Sequence, residues 1–294
     1  MQNIINGLPI AAVILLLAVG FAFLVKGADF FVEGSSSIAK KLKVPPIIIG
    51  LTIVAMGTSL PETAVSVTAS LVQNNELAVS NVVGSNIFNL MFVIGVCSIL
   101  TPIMVQKATV VRDIPLSLGC ALFLLVLGVS GLGDKAGMTL GHADGVIFLI
   151  VFAGYIFTMV RSAMKARAAG QKVEIEGVEE CDNMKELSYG KSILFLIVGA
   201  AAIAFGGDLT VDTASRIAIE LGMSQTLVGL TIVSIGTSLP ELVTSVVAAR
   251  KNEVDMAVGN AVGSNIFNIL MVLGISSAIS PVALIRENII DIVL

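Results

Sequence analysis

Long apolar runs separated by short polar segments dominate the chain. Each run is close to the roughly 20 residues that a helix needs to cross the hydrocarbon core of a bilayer. A further apolar stub begins near residue 288. The pattern therefore predicts an all-α polytopic membrane protein with about eight helices plus the stub. The eight spans are predicted at 8–25, 45–72, 77–100, 113–131, 144–161, 190–207, 224–249 and 256–280.

Composition excludes the soluble classes of protein. Charged residues make up 13% of the chain and hydrophobic residues 56%, whereas a soluble domain carries about 25% charged residues. Such a chain cannot cover its surface with charge, which excludes a soluble enzyme and a disordered protein. The formal net charge of −4 has the wrong sign for nucleic acid. We therefore expect membrane lipid as the main partner, with no cofactor, no nucleic acid and no obligatory protein partner.

Basic residues concentrate at one side of the predicted spans. All but three of the 17 lysines and arginines lie on that side, and the exceptions are Lys135, Arg216 and Arg286. Basic loops face the cytoplasm, so the N-terminus is predicted to lie outside a bacterial or archaeal plasma membrane. The long polar stretch 162–189 is then a cytoplasmic link.

The two halves of the chain repeat each other. Residues 27–102 align with 206–281 at a constant offset of 179 without gaps, and 35 of the 76 positions are identical. The densest matches are GLTIVAMGTSLPE with GLTIVSIGTSLPE, and NVVGSNIFN with NAVGSNIFN. Five spans, an odd number, separate equivalent points, so the second copy enters the membrane from the opposite face. Inverted-topology repeats of this kind are characteristic of secondary transporters, whose sites lie between the repeats near the bilayer midplane.

The repeat divides the chain into three parts. Residues 1–161 are predicted to form the first inverted repeat with five helices, 162–189 the link, and 190–294 the second repeat with three helices and the start of a fourth. Residue 294 corresponds to position 115 of the first copy. Counterparts of the spans at 113–131 and 144–161 are therefore missing, and we expect the chain to be a fragment of a longer protein.

The repeated sequence GTSLPE predicts a broken helix that carries a carboxylate. Pro61 has no N–H and leaves the carbonyl of Gly57 without its helical donor, and hydrocarbon offers no substitute. A carboxylate at membrane depth is costly, so Glu62 is expected to face a cavity and a cation. Glu241 repeats this arrangement from the other side.

The repeated sequence GSNIFN ends a polar stripe whose members are four residues apart, and this spacing places them on one helical face. Gly84 and Gly263 are expected to let these helices approach their neighbours closely. The stripe comprises Asn81, Ser85 and Asn89 in the first copy and Asn260, Ser264 and Asn268 in the second. Since asparagines in membrane helices often only bond neighbouring helices, we assign that role to Asn81, Asn86, Asn260 and Asn265.

Together these groups offer carboxylate, amide, hydroxyl and backbone carbonyl oxygens. Ca²⁺ takes six to eight such hard ligands, and Na⁺ accepts similar ones. Neither motif contains His or Cys, which disfavours Zn²⁺ and Cu⁺. The two glutamates match the charge of one Ca²⁺ or of two monovalent ions, and mutually exclusive occupancy of one charged site is the physical basis of antiport.

GTSLPE followed by GSNIFN, present twice and inverted, resembles the α-repeats of the calcium/cation antiporter superfamily, and most of all the prokaryotic sodium/calcium exchangers. The resemblance covers most of the chain. It implies a ten-helix fold in which ions bind among the second, third, seventh and eighth helices while the first and sixth slide across this core. It implies Ca²⁺ ligands at Glu62 and Glu241 and at the carbonyls of Thr58 and Thr237. It implies Na⁺ sites that add Ala55, Ser59, Ser85, Ser234, Ser238 and Ser264, with Asn89 and Asn268 lining the centre.

Three functions remain open. The leading one is a secondary active antiporter that exchanges Ca²⁺ for Na⁺ by alternating access. The alternative is the same transporter driven by H⁺ or dependent on K⁺, because some family members carry Asp where this chain has Asn268. A cation channel belongs to a different class, but a channel more naturally surrounds its pore with a symmetric oligomer than with an inverted repeat.

Overall fold

The computed structural model describes residues 5, 7–72, 75–107, 109–130, 138–168, 187–224 and 228–293. Within these ranges the chain forms helices α1 to α11, several of which include a π-helical turn, and a two-stranded antiparallel ladder of β1 (Thr139–Leu140) and β2 (Val282–Ala283). The helices are α1 (Ile10–Leu42), α2 (Pro46–Ile49, Gly50–Val54 and Ala55–Thr58), α3 (Leu60–Leu71), α4 (Asn75–Ile87, Phe88–Val93 and Ile94–Leu100), α5 (Thr109–Asp113 and Ile114–Ser130), α6 (His142–Ala168), α7 (Tyr189–Glu220), α8 (Gly229–Val233 and Ser234–Gly236), α9 (Leu239–Arg250), α10 (Val254–Phe267, Asn268–Val272 and Leu273–Ile279) and α11 (Arg286–Val293).

Six of these helices, α1, α4, α5, α6, α7 and α10, are long and apolar enough to cross a membrane. Helices α2 and α3 meet the same criterion together and are bent by 48° where they meet, so the described residues hold seven candidate spans if this bent pair is counted as one. Helices α8 and α9 repeat this pair at the offset of 179 and correspond to the predicted span at 224–249, although residues 225–227 lie outside the described residues. The predicted all-α membrane architecture is confirmed.

Two spans are much longer than hydropathy predicts. Helix α1 has 33 residues and does not end at 25, and α7 has 32 residues and does not end at 207. The reason is packing, because the less apolar second half of α1 is still buried, including the stretch from 34 to 39. Helix α6 also continues past 161 to Ala168. The first residues of the predicted link are therefore helical, and its residues 169–186 lie outside the described residues.

Helices α1 and α7 run side by side in opposite directions. Gly20 lies against Gly206 and Gly34 lies against Ser192, so residue numbers rise along one helix as they fall along the other. Small residues at these contacts let the two backbones touch, as is usual between membrane helices. The two helices begin 179 residues apart, at Ile10 and Tyr189, and their antiparallel packing is what an inverted repeat requires.

Helix α10 is largely buried among other helices, whereas its counterpart α4 is less buried among the described residues. Of their apolar segments, 78% is buried in α10 and 33% in α4. A Cβ atom added at Gly263 of α10 would lie 2.7 Å from the Cα atom of Leu51 in α2, whereas one added at Gly84 of α4 would meet no described atom within 4 Å. The predicted close approach is therefore confirmed for Gly263, where α2 packs along α10, whereas at Gly84 no described residue lies close enough to test it.

Candidate functional site

Two breaks in helices form the centre of the molecule. Between α2 and α3, Ser59 has φ −83° and ψ 11°, and between α8 and α9, Ser238 has φ −93° and ψ 4°. Pro61 and Pro240 follow in the first turn of the next helix, where a backbone N–H has no helical partner in any case. The broken helices that GTSLPE predicts are thus present in both copies.

The two glutamates of the motif meet at these breaks. Glu62 and Glu241 are each 0% exposed, and each lies in the first turn of its helix, where the helix dipole favours an anion. The Ser238 hydroxyl donates to Glu62 Oε1 at 3.3 Å, and the Ser59 hydroxyl donates to Glu241 Oε1 at 2.9 Å. Each carboxylate is therefore held by a serine of the other repeat.

Four buried oxygen atoms in the two repeated motifs have no hydrogen-bond donor among the described residues. They are Oε2 of Glu62 and of Glu241 and Oδ1 of Asn89 and of Asn268. All four residues are at most 1% exposed. Because buried acceptors are normally satisfied and a buried charge needs a partner, this set of oxygens fits a bound cation. No group of three or more His, Cys, Asp or Glu side chains suited to a metal ion occurs in the described part of the chain, so neutral oxygens must complete any shell.

Two further serines join the carboxylates. The Ser85 and Ser238 Oγ atoms are 3.0 Å apart, and the Ser264 hydroxyl lies 3.5 Å from Glu241 Oε1. Ser85 and Ser264 are buried. The structure thus brings four predicted serines of the two motifs together with the two glutamates. We call this cluster of Ser59, Ser85, Ser238, Ser264, Glu62 and Glu241 the polar centre.

The two threonines of the motif turn their hydroxyls toward neighbouring helices. Thr58 Oγ1 donates to Asn260 Oδ1 at 3.1 Å, and Thr237 Oγ1 donates to Asn81 Oδ1 at 3.4 Å. Asn260 Nδ2 in turn donates to the carbonyl of Glu241 at 3.4 Å. Asn81 and Asn260 thus bond neighbouring helices as predicted.

Ala55 and Ser234 lie one turn before the two threonines. The carbonyl of Ala55 accepts the Ser59 N–H at 3.0 Å, and the carbonyl of Ser234 is 3.3 Å from Thr237 Oγ1. Ala55 is buried, whereas Ser234 is exposed. Ser234 is therefore the only exposed residue among the predicted site residues, all of which the structure describes.

Some contributing residues escaped the sequence analysis. Asn81 Nδ2 donates to Ser66 Oγ at 3.1 Å, and Asn260 Nδ2 donates to Ser245 Oγ at 2.9 Å. Ser66 and Ser245 are equivalent positions of the two repeats, 179 residues apart, and this identity could have indicated their role. Tyr155 donates to the carbonyl of Leu51 in the π-helical turn of α2 at 3.0 Å, and no repeated motif points to it.

Most of the chain matches a known protein family. The family model described as sodium/calcium exchanger protein matches residues 12–161 and 191–294, which is most of the chain. The chain belongs to the sodium/calcium exchanger family. Members of this family are transporters, so the chain is an integral membrane cation antiporter of the class that carries Ca²⁺.

Individual relatives agree with this membership. The putative antiporter CaxA of Alkalimonas amylolytica is 40% identical over 263 residues, which cover 90% of this chain and 79% of CaxA. The sodium/calcium exchanger MaX1 of Methanosarcina acetivorans is 35% identical over 292 residues, covering 92% and 83% of the two chains. A solved structure of the sodium-calcium exchanger NCX_Mj is 31% identical, covers 97% of this chain and 89% of its own, and superposes with a TM-score of 0.79.

Proposed function

We propose that this protein exchanges Ca²⁺ for Na⁺ across the plasma membrane by alternating access at the polar centre between its two repeats. Ca²⁺ binds Glu62, Glu241 and the carbonyls of Thr58 and Thr237. Na⁺ binds overlapping positions, and Asn89 and Asn268 line the centre between them. The Na⁺ positions add Ala55, Ser59, Ser85, Ser234, Ser238 and Ser264.

The observation that carries the proposal is the set of unpartnered buried oxygens that the two repeated motifs contribute. Glu62 and Glu241 together supply two negative charges, and the amide oxygens of Asn89 and Asn268 supply neutral acceptors. Ca²⁺ and Na⁺ both prefer such hard oxygen ligands. A divalent cation balances the two carboxylates by itself, so its departure requires monovalent cations to replace the charge.

The arrangement of the repeats supports alternating access. Each repeat contributes one broken helix, and each carboxylate is held by a serine from the opposite repeat. We assign residues 1–161 and 190–294 to the two inverted halves, with 162–189 as the cytoplasmic link. Since the halves are equivalent but inverted, the same contacts can form with either face of the site open, which is how inverted-repeat transporters work.

Uptake of radiolabelled Ca²⁺ into proteoliposomes tests the driving ion. We expect saturable Ca²⁺ uptake into vesicles preloaded with Na⁺, and background uptake into vesicles that hold K⁺ or carry only a proton gradient. Similarity to the sodium/calcium exchanger MaX1 supports Na⁺ as the counter-ion. Uptake that needs internal K⁺ or a proton gradient would replace Na⁺ by that ion, and unsaturable flux without any counter-ion would establish a channel.

Cysteine labelling tests the orientation. Ser188 precedes α7 as its N-cap, and Leu221, which is 80% exposed, follows the other end of that helix. In a Cys181→Ser background we expect Ser188→Cys to react with an impermeant thiol reagent in inside-out vesicles only. The control Leu221→Cys should react in intact cells. The reverse pattern would place the link outside.

A further inference from the structure

Four asparagines join α4 to α10 through a closed set of hydrogen bonds, which we call the asparagine clasp. Asn265 Nδ2 donates to the carbonyl of Asn86 at 3.1 Å, and Asn86 Nδ2 donates to the carbonyl of Asn265 at 3.4 Å. Asn89 Nδ2 donates to Asn265 Oδ1 at 3.2 Å, and Asn268 Nδ2 donates to Asn86 Oδ1 at 3.1 Å. The pattern is the same from either helix, because 86 and 265, like 89 and 268, are related by the offset of 179.

The clasp fixes which way each amide points. A backbone carbonyl can only accept, so Asn86 and Asn265 must each turn Nδ2 toward the carbonyl of the other. Their Oδ1 atoms are then acceptors, and Asn89 and Asn268 must present Nδ2 to them. The atoms left over are Oδ1 of Asn89 and Oδ1 of Asn268, which are buried and have no partner among the described residues.

We propose that Asn86 and Asn265 are positioning residues of the ion site, which hold Asn89 and Asn268 so that only their oxygens face the cations. The inference rests on the proposed function. An unrestrained amide can rotate, and an NH₂ group turned inward places its donor hydrogens beside a cation. Asn89 and Asn268 lie in π-helical turns, where the regular helical hydrogen-bond pattern is interrupted, so the clasp supplies a restraint at a place where the helix itself is irregular.

The contacts are crossed between the helices, so an experiment can separate this role from simple helix bonding. Asn265 restrains Asn89 on the opposite helix, although Asn268 is its neighbour on its own helix. Asn86 likewise restrains Asn268. Coupling in ion binding is therefore expected within the hydrogen-bonded pairs 265–89 and 86–268, and not within the same-helix pairs 265–268 and 86–89.

Crossed double-mutant cycles test the pairing. Asn265→Ala removes the acceptor of Asn89, and we expect the apparent Ca²⁺ affinity to fall about fivefold, the size of one lost hydrogen bond. In an Asn89→Ala background Asn265→Ala should cause no further fall, because the residue on which it acts is gone. In an Asn268→Ala background Asn265→Ala should still cause its full fall. Affinity is read from the Ca²⁺-dependent rise in melting temperature of the purified full chain.

Two results would overturn the proposal. One is a fall in affinity on Asn265→Ala that is as large in the Asn89→Ala background as in the wild type. The other is a lower melting temperature in ion-free buffer with unchanged Ca²⁺ affinity, which is the result expected of a residue that only packs helices. Should Asn265→Ala not purify as a folded protein, the mirror cycle of Asn86→Ala with Asn268→Ala gives the same comparison at a less buried position.

The melting measurement separates this inference from the proposed function. A wild-type protein that is stabilised by Ca²⁺ but does not take it up into Na⁺-loaded vesicles contradicts the exchange proposal, while the cycles still decide the role of the clasp. A wild-type protein whose melting temperature does not respond to Ca²⁺ overturns both.

Discussion

Glu62→Gln is expected to abolish Ca²⁺ transport in a protein that still inserts and folds, and Glu241→Gln is expected to do the same. Each glutamate supplies half of the negative charge at the polar centre, and each is fully buried. Glutamine keeps the shape and still accepts the serine hydrogen bond, so the change isolates the charge. Removing one partner of a buried charge pair costs about 3–5 kcal/mol, which corresponds to a fall of more than about 100-fold in transport rate at low Ca²⁺.

The measurement is initial Ca²⁺ uptake into Na⁺-loaded proteoliposomes at matched protein content. Glu220→Gln is the matched control, because Glu220 is also a helical glutamate but has a side chain that is 52% exposed and pairs with Arg216 at the end of α7. Its uptake should stay within about twofold of wild type, since exposed ion pairs contribute little. Near-normal uptake by Glu62→Gln or Glu241→Gln would contradict the assignment of the site.

Gly263→Ala is expected to destabilise the protein, whereas the equivalent change Gly84→Ala is not. A Cβ atom at Gly263 would lie 2.7 Å from Leu51 Cα and 2.8 Å from its carbonyl oxygen, and backbone atoms cannot move aside as a flexible side chain can. Overpacking of this kind costs about 1–3 kcal/mol. It also pushes α2 away from α10, so Ca²⁺ uptake should fall together with stability.

Gly84 provides an internal control for this experiment. It occupies the same place in the other repeat, but a Cβ atom there meets no described atom within 4 Å. Alanine should therefore be tolerated at 84 and can add up to about 1 kcal/mol through its higher helix propensity. The two melting temperatures are compared in the same detergent. Equal shifts for both variants would show that α2 and α10 are not in backbone contact.

The helix breaks and the buried glutamates could be predicted from the sequence because their motif occurs twice. The glutamates, the prolines and the polar stripe recur at a fixed offset, and physical rules for proline and for buried charge give each a role. The helix breaks at Ser59 and Ser238 follow from the same rules. These predictions depend only on the local sequence and on lipid as the solvent, and the apolar composition of the chain already indicates that solvent.

Features that depend on which helix packs against which could not be obtained in this way. Hydropathy identifies only the segment that suits lipid, so it predicts that α1 ends at residue 25. The helix continues to Leu42 because its second half is buried against other parts of the protein. The repeat predicts equivalent close contacts at Gly84 and Gly263, but a described residue lies within 4 Å of an added Cβ atom only at Gly263. Helix bonding by Asn86 and Asn265 was predicted correctly, yet the particular amides that they contact follow only from the crossing of α4 and α10.

The burial of α10 bears on the order in which the protein is made. Of the long helices described, α10 has the lowest hydropathy, 1.7 against 2.5 for α1, so it gains least from entering lipid alone. It is also the last of them along the chain, and chains emerge from the ribosome N-terminus first. When α10 is synthesised, α2 and α6, which contact Gly263 and Gly274, have already been made. This polar helix can therefore pack against helices that were made before it. Its insertion into the bilayer then depends on these helices as well as on its own sequence.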